Sequence, residues 1–188
     1  PIHVRDLSAP DRPGTTICLR PQRSPTAIVG IASIEPAALV NIEGGGMVGV
    51  PGIAARIFGA LARAAVNVIM ISQASSEHSI CVVFREQEAE AALGALQTEL
   101  AAEIAAKQIQ NFDLRRELAI LAVIGDNMRG TPGISGRLFS ALGGAGINIL
   151  AIAQGSSETN ISFVINKHNE AKALQVIHKA FLTPGEAS

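Results

Sequence analysis

The chain has 188 residues, a formal net charge of -1, 48% hydrophobic and only 3% aromatic residues, and no Trp or Tyr. Without basic runs it offers nothing to nucleic acid or an anionic membrane, and without aromatics it lacks the stacking platform of single-stranded RNA readers. No apolar run reaches the about 18–20 residues that span a bilayer, no secretory leader is expected, and two cysteines, Cys18 and Cys81, make neither a disulfide framework nor a metal site, which fits a reducing cytoplasm.

Residues 1–25 carry five of the nine prolines and no helical period, so they read as a linker or the tail of an upstream unit, with short extended pieces at Ile2–Arg5 and Thr15–Leu19. Strands are predicted at Thr26–Ser33, bounded by Pro25 and Pro36, and at Ala38–Glu43, which leads into Gly44, Gly45 and Gly46. A helix follows over Pro51–Ala65. Ile53, Ile57, Leu61 and Ala64 fall at helical spacing in it, and Pro51 suits a first helical position. Val66–Ser72 and Ser79–Phe84 read as strands joined by a turn at Ser75, Ser76 and Glu77. Glu86–Ala106 reads as a long helix and Gln108–Leu114 as a short strand. The order then recurs: strand Leu118–Ile124, loop Gly125–Thr131, helix Pro132–Ala145, strands Ile147–Ala153 and Asn160–Ile165, helix His168–Phe181.

The recurrence is literal. Pro51-Gly-Ile-Ala-Ala-Arg-Ile-Phe returns as Pro132-Gly-Ile-Ser-Gly-Arg-Leu-Phe, and Gln73-Ala-Ser-Ser-Glu as Gln154-Gly-Ser-Ser-Glu, 81 positions later. Each copy, completed by one more strand, is a split βαβ unit, so the fold class is α+β: two ferredoxin-like βαββαβ domains, each a four-stranded antiparallel sheet with helices on one face. The first copy has its last strand at Gln108–Leu114; the second runs out at Leu182-Thr183-Pro184. An unpaired sheet edge is a liability, and the strand before the first copy has no role there. It is therefore expected to complete the second domain. The division that follows is a linker at 1–25, a first domain at 35–115 inserted in a second domain at 26–34 plus 116–183, and a tail at 184–188.

The chemistry-bearing residues are few. The glycine loop before the first helix leads to a helix N-terminus, whose free N–H groups and partial positive charge suit a carboxylate or phosphate; a tight, water-filled βα turn is the alternative. Neither a dinucleotide fingerprint nor a P-loop is completed. Thr131 before Pro132 is expected to cap its own helix through the hydroxyl, whereas Val50 before Pro51 cannot, which favours the first loop as the carboxylate site. Gln73 and Gln154 close equivalent strands and offer an uncharged amide to a hydroxyl or amino group, or are plain exposed strand ends. The Ser-Ser-Glu turns lack a repeating His or Asp partner, so they read as turn formers and no catalytic centre is expected. Cys81, in an apolar strand, reads as a small core residue.

At these residues the chain resembles the paired regulatory ACT domains of aspartate kinases, over residues 26–182. The resemblance is carried by Val40-Asn-Ile-Glu-Gly with Gly49-Val-Pro-Gly-Ile-Ala-Ala-Arg-Ile-Phe, by Ile71-Ser-Gln-Ala-Ser-Ser-Glu and by Ala151-Ile-Ala-Gln-Gly-Ser-Ser-Glu. The opening residues are similar to the last segment of the kinase catalytic domain. The resemblance implies an amino-acid sensor with the first domain nested in the second. It is nearest the threonine-sensitive branch, including kinases fused to homoserine dehydrogenase. It implies an effector, threonine before lysine, bound by Met47, Val50, Pro51, Gly52 and Ile53 at the loop and helix start, and by Ile71, Gln73, Ile152 and Gln154 on the strands. It also implies a homodimer or higher assembly through the ACT sheets, an upstream kinase domain as partner, and no cofactor in this region, ATP and Mg belonging to the kinase domain. A ligand-independent dimerisation module is the alternative.

Overall fold

The computed structural model describes residues 1–19, 27–73, 78–125 and 128–183. The expected turn at Ser75–Glu77 and the first residue of the predicted Thr26–Ser33 strand lie outside them. A small exposed hairpin of β1 (Ile2–Val4) and β2 (Thr15–Ile17) comes first. The body consists of β3 (Gly30–Glu43), α1 (Ile53–Arg63), β4 (Met70–Gln73), β5 (Ser79–Arg85), α2 (Ala89–Glu99), α3 (Ala101–Ala105), β6 (Asn111–Ile124), α4 (Ile134–Gly144), β7 (Ala151–Gln154), β8 (Asn160–Asn166) and α5 (Glu170–Phe181).

The strands form one antiparallel sheet in the order β4-β5-β3-β6-β8-β7. Its two central strands are each 14 residues long and serve both halves. Residues 39–43 pair with 111–115 inside the first half, while 30–34 pair with 120–124 inside the second. The segments read separately on either side of Pro36 are thus one strand, and so are those on either side of Arg116. Register slips between Ile34 and Ala37 and between Ala37 and Leu39 mark the passage, at a proline that has no N–H to give a ladder. The result is two ferredoxin-like units, the first inserted in the second.

Burial follows the repeat. In the first half α1 and α2 cover Val40, Ile42, Val82 and Phe84, with Ile57 and Leu61 fully buried. In the second, α4 and α5 cover Leu121, Val123, Phe163 and Ile165, and Ile28, ahead of β3, closes this core at 1% exposure. Ile109 does the same for the first half. A third core joins the helix-free faces: Leu39, Met70 and Val83 meet Leu118, Ile120 and Val164. The outer strands thereby come together, Ser72 Oγ donating to Ile152 O at 3.0 Å. Among the described residues no charged or polar residue is buried, so all three cores rest on apolar packing.

Three local expectations change. The helix predicted from Pro51 starts at Ile53, because Gly52 takes a φ of 93° and is the N-cap; Gly133, at 90°, does the same for α4. The strands predicted from Val66 and Ile147 join the ladder only at Met70 and Ala151, since Val66 and Ile147 are buried under the helices on the way back to the sheet. The long helix over 86–106 opens with a tight turn at Glu86–Glu88 and breaks at Leu100. Thr98 Oγ1 donates back to Gly94 O at 2.8 Å, a bond that bends helices. Arg56 Nη2 donates to Glu99 O at 2.6 Å and satisfies the carbonyl freed by the break.

Candidate functional site

The loop from β3 to α1 is built from inside outward. Gly44 N–H donates to His78 O at 3.0 Å, Gly46 N–H to Gln108 O at 3.0 Å, and Met47 N–H to Gly44 O at 3.2 Å. Met47, 4% exposed, anchors the loop in the first core. Val50 N–H returns to Met47 O at 3.2 Å, and Gly49 and Gly52 take φ values of 68° and 93°, which glycine adopts without penalty. Helical bonding begins with Arg56 N–H to Gly52 O at 3.0 Å, and no side chain caps the helix, so the amides of Ile53, Ala54 and Ala55 have no partner within α1.

Ile53 and Ala54, the first of these, border a cavity of about 330 Å³. Six sequence-predicted residues line it: Met47, Val50, Pro51, Gly52 and Ile53 from the loop and helix, and Gln73 from the end of β4. Ile80, on the neighbouring strand, adds apolar wall, and among the described residues no charged side chain lines it. A helix N-terminus, one neutral amide and aliphatic walls suit a small molecule that carries its own carboxylate and a short, uncharged side chain. Ile71, Ile152 and Gln154 do not line this cavity. Ile71 and Ile152 stand exposed at equivalent places on the two outer strands, and Gln154 is exposed at the end of β7.

The second loop also borders a cavity of about 330 Å³, but its walls differ. Met128 is buried as Met47 is, and Thr131 N–H donates to Met128 O at 3.1 Å. Thr131 does not cap α4, because the N-cap is Gly133 and no side chain caps that helix either. The expected difference in capping between the copies is therefore absent. Gly130 N–H donates to Glu158 Oε2 at 2.9 Å. The space beside α4 opens instead towards Ile28, Arg137 and Phe181, with the Arg137 guanidinium 4.8 Å above the Phe181 ring, and Gln154 takes no part in it.

Behind the first site Arg56 ties α1 to α2 and α3. Its Nε donates to Glu99 Oε1 at 3.0 Å and its Nη1 pairs with Glu103. The Arg56 bond holds the Glu103 carboxyl below the usual range. The repeat keeps this arginine as Arg137 but puts Ala180 where Glu99 stands, a contrast visible in the sequence once the copies are aligned. Cys81 is half-buried against the third core rather than fully enclosed, and burial pushes its thiol up to about 11. Among the described residues no cluster of His, Cys, Asp or Glu could hold a metal ion, and no helix is long and apolar enough to cross a membrane.

Comparison with known proteins agrees with this architecture. Residues 40–100 and 121–181 match the ACT domain family, two stretches offset by the repeat length. The chain is 42% identical over 186 residues to the bifunctional aspartokinase/homoserine dehydrogenase 2, chloroplastic, of Arabidopsis thaliana, a match covering 96% of this chain and 20% of that protein. With the bifunctional aspartokinase/homoserine dehydrogenase of Haemophilus influenzae it shares 37% identity, covering 96% of this chain and 22% of the other. The ligand-free regulatory subunit of aspartate kinase from Thermus thermophilus superposes with a TM-score of 0.68 at 30% identity, covering 82% of this chain and 98% of that one. The chain thus spans about a fifth of the length of the curated relatives it matches.

Proposed function

The chain belongs to the ACT-domain family as a tandem pair of the aspartokinase type, and from that premise we propose that it is the amino-acid-sensing region of an aspartokinase, binding threonine in preference to lysine and lowering aspartate phosphorylation when occupied. One observation carries the reading: uncapped amides of α1 and the carboxamide of Gln73 face one cavity of about 330 Å³ with no acidic side chain among its described lining residues. The effector carboxylate sits on the amides, and Gln73 addresses the side-chain hydroxyl. A lysine ammonium would find no carboxylate among the described lining residues, and an unpaired cation is costly to desolvate.

Control then needs the effector to bind two packings of the assembly unequally, and a difference of about 1–3 kcal/mol is enough. The partners under this reading are the free amino acid, an upstream kinase domain, and a second copy of the chain met through the sheets; no cofactor is assigned to the region. The exposed Ile71 and Ile152 on the outer strands support association with another copy.

Calorimetry with threonine, lysine, methionine and isoleucine, run alongside a measurement of oligomeric state, tests this. Threonine should bind most tightly. Heat from none of the four, with a dimer still present, leaves a ligand-independent dimerisation module in place of the sensor.

A further inference from the structure

The two halves differ in how the loop ahead of the first helix is held. In the first half Gly45 N–H donates to Gln110 Oε1 at 3.2 Å, and Gln110 Nε2 donates to Lys107 O at 3.3 Å. Backbone bonds flank this contact: Gly46 N–H to Gln108 O at 3.0 Å and Gln110 N–H to Glu43 O at 2.8 Å. The approach is as close as glycine allows. A Cβ on Gly44 would stand 2.3 Å from Gln108 O, and one on Gly46 would stand 2.3 Å from Gln108 Cβ.

Among its described residues the second half repeats two of these backbone contacts. Val29 N–H donates to Ile124 O at 2.8 Å, as Gln110 does to Glu43, and a Cβ on Gly125 would stand 1.9 Å from Ala27 O, as one on Gly44 meets Gln108. Val29, however, is an exposed aliphatic residue with no amide to offer the loop.

We infer, resting on the sensing role proposed above, that Gln110 is a positioning residue for the effector site and one reason the first loop rather than the second takes the amino acid. Gln110 does not line the cavity. It acts through Gly45, tying down the middle residue of a run of three glycines, so that less ordering remains to be done when the ligand arrives. The backbone bonds alone leave Gly45, the middle residue, without an acceptor among the described residues.

The test compares the whole chain with its Gln110→Ala and Gln110→Glu variants, the second keeping an acceptor oxygen. In ligand-free protein followed by NMR, the Gly45 amide should exchange about fivefold to tenfold faster in Gln110→Ala and return most of the way in Gln110→Glu. Equal exchange in all three overturns the clamp whether or not any ligand binds. In calorimetry Gln110→Ala should weaken threonine binding about fivefold with an unchanged thermal midpoint. Undiminished binding by that variant overturns the positioning role. If the unaltered chain binds no amino acid, the sensing role falls, and the exchange measurement decides the clamp by itself.

Discussion

Under the proposed sensing role, ligand choice rests on Gln73, the one side chain with both donor and acceptor capacity among the described cavity walls. Gln73→Ala should weaken threonine binding about fivefold to tenfold, the worth of one net hydrogen bond, with the fold unchanged by circular dichroism. Gln73→Glu should shift preference towards lysine, because a carboxylate supplies the partner its ammonium lacks; calorimetry with both amino acids reads the change. The titratable residues make their own predictions. Burial raises the Cys81 thiol to about 11, so at pH 8 it stays protonated while exposed Cys18 is open to a thiol reagent. A titration should count one fast cysteine in native protein and two after denaturation. Glu103 carries a lowered pKa through its bond from Arg56. The stability it adds is present above its unfolded pKa and is lost as pH falls through the lowered folded value. The difference in thermal midpoint between wild type and Glu103→Gln should therefore close as pH drops below about 4.

At the scale of elements, α1 is the structural support of the site. Ile57 and Leu61 are fully buried from it into the first core. Ile57→Ala should cost about 2–4 kcal/mol in chemical denaturation, and Leu138→Ala in α4 a similar amount, since both empty a filled core position. Gly52→Ala has room for its Cβ but must hold a φ of 93°, so it should destabilise by about 1 kcal/mol or more and disturb the site. Helix and strand identities were legible because apolar spacing sets them locally. The start of α1 was not, because Pro51 is equally at home in the turn that precedes a glycine N-cap. The break at Leu100 was hidden too, since what it depends on, the reach of Arg56 to the Glu99 carbonyl, joins residues far apart in sequence.

For the whole molecule, the decisive feature is that β3 and β6 each belong to both halves. Removing residues 1–34 takes away Ile28 and the 30–34 pairing with 120–124, so hydrogen exchange should show the amides of β8 losing far more protection than those of β5. Equal loss in both would contradict the nested arrangement. The duplication, the ferredoxin-like order and the orphan strand were present in the sequence, because repeats, periodicity and a strand count need no coordinates. The loop and Gln73 were legible as candidates for the same reason: a glycine run before a helix and a polar residue ending a strand are local signals. Only tertiary structure decided that six of the nine chosen residues share one cavity while Ile71, Ile152 and Gln154 stand apart, and that Gln110 reaches back to hold Gly45. The physical reason is that a repeat copies side chains, whereas a cavity depends on which distant segments close around them. Here Gln73 and Ile80 wall the space beside α1, whereas Ala27, Ile28 and Phe181 wall the space beside α4.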